Sequence, residues 1–249
     1  MATAKKLKNK IAIITGGATG IGKSCVYALN EDGAKIVLAY FRSKDEAKKI
    51  ADELDNIVLR QINVIKESEI KKLFDFVSSE FGGVDILINN AGGNVSFCET
   101  EQYSVEDWEH TFNLNTRSIF LMCKYAIPLI REAGKIINIS SVSGKTGGAP
   151  GGMAYAAAKA AVDCMTKALA KELATRRINV NAVSPGVVRT KQHEHFSSKK
   201  YYASLIEQIP LGRDGLPDDI ANVVGFLCSD ASDYLTGQII EVNGGQYMK

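Results

Sequence analysis

The sequence predicts an α/β fold in which a doubly wound, mostly parallel, seven-stranded sheet carries helices on both faces. Short apolar runs of strand length recur along the chain, and longer stretches with helical spacing lie between them. The strand-like runs are apolar on both faces, which is typical of a parallel sheet covered by helices on each side. No composition break or internal repeat divides the 249 residues, so we expect one domain that spans residues 1–249.

The predicted strands begin close to the N-terminus and recur to the end of the chain. They are IAIIT (11–15), KIVLAY (35–40), NIVLRQI (56–62), VDILINN (84–90), KIINISS (135–141), NVNAVS (179–184) and QIIEV (238–242). Each run has about the length of a strand, and the intervals between successive runs are long enough for helices. The order therefore predicts repeated strand–helix–strand units.

Helical spacing and helix punctuation fill the intervals. Residues 68–81 carry one apolar stripe, formed by Ile70, Leu73, Phe74, Val77 and Phe81. Gly33 predicts a helix end, whereas Ser104 and Pro217 predict helix starts. Residues 191–203 show no clear period, and we expect a loop or short helices over 191–215 that cover the substrate.

Bulk composition excludes several classes of protein. The 30 basic and 28 acidic residues leave a net charge of only +2, which argues against a nucleic-acid binder. The basic N-terminus leads into only a short apolar run, and no segment approaches the ~20 apolar residues of a membrane span. We therefore expect a soluble, cytoplasmic protein that does not bind membranes.

Cysteine and histidine give no sign of a metal site. The five cysteines are scattered and odd in number, so neither a disulfide framework nor a zinc site is indicated, although Cys98 lies in a polar stretch that we expect to be exposed. His110, His193 and His195 have no partners at metal-ligand spacing, and no G-x-S-x-G elbow is present. We predict that the protein binds no metal and is not a hydrolase.

A glycine-rich turn, TGGATGIGKS (15–24), follows the first predicted strand directly. Gly16, Gly20 and Gly22 leave backbone N–H groups accessible at the start of a helix, where the helix dipole favours an anion. A plain glycine loop is the alternative. Between a first strand and a first helix, the turn predicts a pyrophosphate site of a Rossmann-type, dinucleotide-binding sheet.

The end of the second predicted strand bears on the choice of dinucleotide. An acidic residue there would bind the 2′-hydroxyl of NAD(H), but the sequence reads AYFRSKDE, with Tyr40 at the expected position and Arg42 two residues further on. An arginine forms charge-assisted hydrogen bonds with a 2′-phosphate. We favour NADP(H) over NAD(H); a solvated arginine is the alternative.

The segment YAAAK (155–159) places Tyr155 and Lys159 one helical turn apart. Residues at i and i+4 lie on one helix face, with Cβ atoms about 5–6 Å apart. A tyrosine that packs and a lysine that reaches water are the ordinary interpretation. The alternative is that the ammonium lowers the pKa of the phenol toward neutrality, so that Tyr155 exchanges a proton with a substrate.

The chain resembles the short-chain dehydrogenase/reductase family in its one-domain form. The resemblance spans residues 11–245 and rests on six motifs in family order: TGGATGIG (15–22), NNAG (89–92), NTRSIF (115–120), IINISSVSG (136–144), YAAAK (155–159) and PGVVRT (185–190). By this resemblance the protein is an NAD(P)-dependent oxidoreductase acting on a carbonyl or secondary alcohol. Family members commonly form homotetramers.

The resemblance assigns site residues by matched position. It implies four catalytic residues: Asn115, Ser141, Tyr155 and Lys159. It also implies that Tyr155 and Lys159 contact the cofactor, as Tyr40 and Arg42 would. Fourteen further residues are implied to contact it: Gly16, Thr19, Gly20, Ile21, Gly22, Asn63, Val64, Asn90, Ala91, Gly92, Pro185, Gly186, Val188 and Thr190. Asn63 replaces an aspartate that is frequent in the family beside the adenine.

The implied roles of the catalytic residues differ. Ser141 would orient the substrate oxygen, and Tyr155 would supply its proton. Lys159 would also bind the nicotinamide ribose. Asn115 would hold a water that relays protons to Lys159.

Three functions remain open at this point. The first is an NADP(H)-dependent reductase of a ketone or 3-oxoacyl thioester. An acidic acyl carrier protein would dock on Lys135, Arg176 and Arg177; a solvated basic surface is the alternative for these three residues. The second is a sugar or polyol dehydrogenase acting on a small molecule. The third is a cofactor-binding regulator without catalysis, although such proteins normally lose the Tyr or the Lys.

Overall fold

A computed structural model describes residues 5–190 and 199–248 of the chain. Its strands are β1 (Ile11–Thr15), β2 (Lys35–Tyr40), β3 (Ile57–Gln61), β4 (Val84–Asn89), β5 (Ile130–Ile139), β6 (Asn179–Pro185) and β7 (Ile239–Val242). They form one parallel sheet in the order β3-β2-β1-β4-β5-β6-β7. The predicted doubly wound α/β sheet is confirmed.

Helices fill the intervals between the strands, as the sequence predicts. They are α1 (Gly20–Glu31), α2 (Lys44–Glu53), α3 (Glu67–Phe81), α4 (Val105–Phe112), α5 (Ser118–Ala126), α6 (Ser143–Thr146), α7 (Met153–Leu173), α8 (Lys199–Glu207) and α9 (Pro217–Cys228). A π-helical turn, Asn113–Arg117, joins α4 to α5. Of the predicted segment 191–215, α8 is helical, and residues 191–198 lie outside the described residues.

Both faces of the sheet are buried, which explains the apolar runs. Ile14 and Leu38 pack with α1, α2 and α9 on one face, whereas Ile13 and Val37 pack with α3, α5 and α7 on the other. Successive side chains of a strand point to opposite faces, so a central strand must be apolar at every position when helices cover both.

The predicted helix boundaries are also confirmed. Gly33 follows the end of α1 with φ +95°, a conformation that favours glycine. The Ser104 hydroxyl accepts a hydrogen bond from the Asp107 N–H at 3.0 Å and caps α4. Pro217 opens α9.

The topology fixes where a ligand can bind. The strand order reverses between β1 and β4, because the chain winds outward to β3 from β1 and in the other direction from β4. The loops after these two strands therefore diverge, and a crevice opens at the carboxyl edge of the sheet.

Candidate active site

A cleft of ≈ 1050 Å³ opens at the carboxyl edge of the sheet. The segments that follow β1, β4, β5 and β6 form its walls, together with the first turns of α7 and part of α8. Four separate parts of the chain thus meet at the switch point of the topology, where a doubly wound sheet binds its ligand.

Most of the predicted site residues line this cleft. They are Gly16, Thr19, Gly20, Ile21, Asn90, Ala91, Gly92, Ser141, Tyr155, Lys159, Pro185, Gly186, Val188 and Thr190. The predicted residues that do not line it are Gly22, Tyr40, Arg42, Asn63, Val64 and Asn115.

The glycine-rich turn is shaped for a close approach by a ligand. Gly16 and Gly20 have φ values of +65° and +53°, a region that side chains disfavour. A Cβ at Gly22 would lie 2.2 Å from the Gly16 carbonyl oxygen, so α1 packs directly under the turn. No side chain caps the N-terminus of α1, and its first turn holds no acidic residue. These features fit a pyrophosphate at the start of α1.

Thr15 ties this turn to the end of β4, a role that the sequence analysis missed. Its hydroxyl donates to the Ile88 carbonyl oxygen at 3.3 Å and accepts from the N–H groups of Asn90 and Ala91, both at 3.0 Å. The Asn90 amide donates in return to the Thr15 and Gly16 carbonyl oxygens at 2.9 and 3.2 Å. A hydroxyl residue that ends an apolar strand was the available signal.

Ser141 and Tyr155 meet at the other end of the cleft. Ser141 follows β5, as predicted, and its hydroxyl lies near that of Tyr155 in the first turn of α7, close enough to affect the pKa of the phenol. Burial raises the pKa of Tyr155 above its ordinary value, and the nearby Ser141 hydroxyl opposes that rise only in part. The phenol is therefore protonated at neutral pH.

Lys159 lies one turn behind Tyr155, and the predicted proximity of the two is confirmed. The Lys159 Nζ atom lies 5.6 Å from the centroid of the Tyr155 ring, and it donates to the Ile139 carbonyl oxygen at 2.7 Å. Only 3% of Lys159 is exposed. Burial lowers the pKa of Lys159 to about 8, against the opposing effect of Asp163.

The predicted acidification of the phenol is wrong for the chain by itself. The pKa of Tyr155 moves upward rather than toward neutrality, because burial is its largest cause. Coulombic attraction by a lysine acts on the phenolate form, but removal of water acts on the same form with opposite sign. The spacing of four residues predicts that Tyr155 and Lys159 are close together, but it does not predict how far each side chain is removed from water.

Asn115 lies behind the cleft wall, in the π-helical turn. It is fully buried; its amide donates to the carbonyl oxygens of Gly93 and Thr111, both at 2.9 Å, and its Oδ1 accepts from the Gly93 N–H at 2.9 Å. A Cβ at Gly92 would lie 2.8 Å from this oxygen and 3.3 Å from Lys159 Nζ. Asn115 thus holds the chain after β4 against the lysine.

The ends of β2 and β3 lie beside the cleft. Tyr40 is almost buried, and the exposed Arg42 guanidinium lies 5.3 Å from the centroid of the Phe41 ring. The Asn63 Oδ1 atom accepts from the Ile65 N–H at 3.1 Å, so its acceptor oxygen stabilises a turn. Val64 is nearly buried beside it.

The segment after β6 is anchored from below. Val188 pairs with Gly215 in an isolated parallel bridge, and Arg189 forms two bonds of 2.9 and 2.8 Å with the Asp214 carboxylate. A Cβ at Gly20 would lie 3.4 Å from the Thr190 methyl group. This segment therefore reaches across the cleft to the glycine turn.

The predicted docking surface for an acidic carrier protein is wrong in part. Lys135 is 3% exposed, and its ammonium bonds the side chains of Asn179 and Asp233 at 2.7 and 2.5 Å. Arg176 donates to two main-chain carbonyl oxygens. Only Arg177 is exposed. Tertiary packing brings partners to Lys135 and Arg176 that the sequence does not place beside them.

Other predicted features lie away from the cleft. No cluster of three potential metal ligands occurs within the described residues, among which His110 lies in α4; His193 and His195 fall outside them. Cys98 is half-buried rather than exposed. Among residues 5–190 and 199–248, no helix is both long and apolar enough to cross a bilayer.

The substrate end of the cleft contains residues that the sequence analysis did not assign. The cleft is also lined by Phe97, Tyr201, Leu205, Gln246 and Asn94. The Oδ1 atom of Asn94 is buried with no hydrogen-bond partner among the described residues. These residues come from three distant parts of the chain, so no local motif marks them.

Comparison with known proteins agrees with this geometry. Residues 16–246 match a protein-family model described as enoyl-(acyl carrier protein) reductase. The chain is 40% identical to the 3-oxoacyl-[acyl-carrier-protein] reductase FabG of Staphylococcus epidermidis, over 96% of this chain and 100% of that one.

Two solved structures share the fold. One is a short-chain dehydrogenase/reductase from Serratia marcescens, with a TM-score of 0.92 and 29% identity over 97% of this chain and 99% of that one. The other is a blue fluorescent protein from a metagenomic library in complex with NADPH, with a TM-score of 0.93 and 31% identity over 98% of this chain and 100% of that one.

Proposed function

The chain belongs to the short-chain dehydrogenase/reductase family of oxidoreductases, and we propose that it reduces 3-oxoacyl thioesters with NADPH. One observation carries the proposal: Ser141, Tyr155 and Lys159 converge at one end of a cleft whose other end is the glycine-rich turn. The 40% identity to a 3-oxoacyl-[acyl-carrier-protein] reductase supports the thioester as substrate.

Residues at both ends of the cleft would hold the nicotinamide cofactor, which supplies the hydride when bound. Gly16, Thr19 and Gly20 would accept its pyrophosphate on main-chain N–H groups at the start of α1. Val188 and Thr190 would hold the carboxamide end. Lys159 would bind the ribose beside the reacting carbon.

Ser141 and Tyr155 would act on the substrate oxygen. Their hydroxyls lie near each other in the cleft, so a carbonyl oxygen placed beside both would receive two donors. As negative charge develops on this oxygen, the two donors stabilise it, and the protonated Tyr155 transfers its proton to it. The raised pKa of Tyr155 keeps that proton in place until the charge appears.

Lys159 would stabilise the phenolate that this transfer leaves on Tyr155. Its ammonium is within 6 Å of the ring centroid and is removed from water, where a charge interaction is stronger than at the surface. Asn115, one layer deeper, would support proton supply to Lys159. Its contacts with Gly93 and Thr111 keep it beside the lysine.

Arg42 would select NADP(H) over NAD(H). It is exposed beyond the end of β2, and the segment Tyr40–Ser43 contains no acidic residue that would repel a 2′-phosphate. Tyr40, Asn63 and Val64 would then border the adenosine. The NADPH complex of a structurally similar protein supports this choice.

The rest of the assembly follows from the same proposal. Residues 191–215 would cover the substrate, since Tyr201 and Leu205 of α8 line the cleft. An acyl carrier protein would meet Arg177 rather than Lys135. The protein would be a cytoplasmic homotetramer, for which the exposed apolar side chains of Trp108 and Phe120 offer packing surface.

Steady-state kinetics with acetoacetyl-CoA test the function. We expect oxidation of NADPH to follow thioester addition, with a kcat/KM for NADPH well above that for NADH. Absence of turnover with acetoacetyl-CoA and with an acetoacetyl carrier protein would contradict the assignment of substrate. Absence of nucleotide binding as well would contradict the reaction class.

A sugar or polyol dehydrogenase is the second candidate, and Asn94 favours it. Its buried Oδ1 atom has no hydrogen-bond donor among the described residues, although the residue lines the cleft. A hydroxyl of a sugar or polyol would satisfy this acceptor, whereas a 3-oxoacyl group has no donor to offer. Reduction of NADP⁺ by glucose or a polyol, lost in Asn94→Ala, would support this candidate over the thioester.

A further inference from the structure

Asp163 is a buried carboxylate that the proposed reaction does not use. It lies on α7, one helical turn beyond Lys159 on the same face, and is only 5% exposed. A buried carboxylate is costly unless charges and hydrogen bonds compensate it. The groups that offset the cost of burying the Asp163 carboxylate therefore indicate its role.

Each carboxylate oxygen of Asp163 contacts a different element. Oδ1 accepts a hydrogen bond from the Ser140 hydroxyl at 2.6 Å, at the end of β5. Oδ2 lies 2.9 Å from Lys145 Nζ on α6, in an ion pair whose lysine side chain is 23% exposed. Asp163 thereby connects α7 to both segments that flank Ser141.

Close packing makes this connection stiff. A Cβ at Gly144 would lie 2.9 Å from the Ala160 nitrogen and 3.0 Å from the Lys159 carbonyl carbon, so α6 lies directly on α7 beside the lysine. The Ser140 hydroxyl also contacts the Lys159 carbonyl oxygen at 3.4 Å. Ser141 thus lies in the chain between Ser140 and Lys145, and Asp163 contacts both of these residues.

We propose that Asp163 is a positioning residue: its carboxylate places a negative charge one helical turn from the Lys159 ammonium and, through Ser140 and Lys145, holds Ser141 against Tyr155. The inference rests on the proposed roles of Ser141, Tyr155 and Lys159. The partly exposed Lys145 ammonium pairs with the same carboxylate and offsets its charge, so this ion pair also sets how strongly Asp163 acts on Lys159.

The ionisable groups around Lys159 are few in the described part of the chain. Its own helix presents Tyr155 and Asp163, and α6 presents Lys145 through Asp163. The end of β5 presents a carbonyl oxygen and a serine hydroxyl, and the π-helical turn presents the amide of Asn115; none of these titrates. Asp163 raises the pKa of Lys159 against the effect of burial.

Two substitutions move the charge of Lys159 in opposite directions. Asp163→Asn keeps the shape and an acceptor for Ser140 but removes the negative charge, so Lys159 loses its proton at lower pH. Lys145→Met removes the competing cation, so Lys159 holds its proton to higher pH. The apparent pKa of the alkaline limb in the pH profile of kcat/KM for carbonyl reduction should be about one pH unit lower in Asp163→Asn and higher in Lys145→Met.

The control is Lys171→Met, which removes an exposed cation from the same helix two turns beyond Asp163. It should leave the limb in place. A loss of folding or rate in both variants without opposite shifts would overturn the proposal, because a purely structural residue produces that result. Where Asp163→Asn does not fold, absence of an upward shift in Lys145→Met overturns it alone.

A readout independent of turnover separates this inference from the proposed function. The pKa of Lys159 is measured by NMR titration of the protein labelled with ¹³Cε-lysine, with its resonance assigned by loss in Lys159→Met. The inference is supported if the pKa of Lys159 is lower in Asp163→Asn than in the unsubstituted chain and higher in Lys145→Met. This holds even if no thioester is reduced. Equal values in the three proteins contradict it, whatever the substrate.

Discussion

Near β1 the wall of the cleft consists of glycines and uncharged hydrogen bonds, whereas near α7 it includes the buried, ionisable Lys159, and Asp163 is buried one helical turn beyond it. Gly16, Thr15 and Asn90 hold the first wall by main-chain conformation and neutral contacts. Lys159 and Asp163, each at most 5% exposed, hold the second. In the proposed function, the first wall would admit the anionic pyrophosphate at any pH, while the second would exchange a proton with the substrate.

The difference predicts two kinds of failure. Changes near β1 should weaken nucleotide binding and stability together, because shape and hydrogen bonds serve both. Changes to Tyr155 and Asp163 near α7 should alter rate and pH dependence while nucleotide binding persists, since these groups would act on the reacting oxygen or through Lys159. Substitutions on each wall test this division.

Removal of the Tyr155 hydroxyl should have the largest effect. Tyr155→Phe keeps the ring and its packing but removes the proton donor, so kcat should fall by about 10²–10⁴-fold. The Kd for NADPH, measured by fluorescence titration, should change by less than about twofold. A comparable loss of nucleotide binding would erase the distinction between the two walls.

A methyl group at Gly22 should disrupt the first wall. The added Cβ would lie 2.2 Å from the Gly16 oxygen and 2.5 Å from the Asn90 side chain, so Gly22→Ala should cost about 3 kcal/mol of the free energy of unfolding and weaken NADPH binding. Urea denaturation and nucleotide titration measure the two effects.

The matched control for this substitution is Gly225→Ala in α9. No atom outside the neighbouring backbone of α9 lies within 4 Å of the added Cβ there, so the change should stabilise the helix by about 0.5–1 kcal/mol. Equal destabilisation by the two changes would show that helix glycines in general, rather than contact under the turn, determine the result.

Loss of the Thr15 hydroxyl should have a smaller effect on the same wall. Thr15→Val has nearly the same shape but leaves the N–H groups of Asn90 and Ala91 without their acceptor, so we expect about 2 kcal/mol of destabilisation and a higher Kd for NADPH. Thr15→Ser retains the hydroxyl and should preserve binding. Equal loss in both variants would point to the methyl group instead.

Arg42→Ala should have the smallest effect. The kcat/KM for NADPH should fall about tenfold while that for NADH stays constant, because the charge-assisted contacts exist only with a 2′-phosphate. Lys44→Ala, which removes the exposed cation at the start of α2, serves as control. An equal change for both nucleotides would remove Arg42 from the choice of cofactor.

Local patterns in the sequence predicted the strands, the glycine-rich turn and the proximity of Tyr155 and Lys159. Each of these depends on neighbours within a few residues: alternating side chains, φ values accessible to glycine, and the period of a helix. The resemblance to a family added Ser141 and Asn115, whose partners lie far along the chain. What those side chains contact did not follow from either.

Only the tertiary structure decided which charges lose water and which partners they gain. It buried Lys135 against Asp233, brought Lys145 to Asp163 and turned the pKa of Tyr155 upward. These outcomes depend on residues that are distant in sequence and on the depth of each group below the surface. Desolvation depends on the whole fold. The spacing of four residues therefore determined that Tyr155 and Lys159 are neighbours, but it did not determine their pKa values.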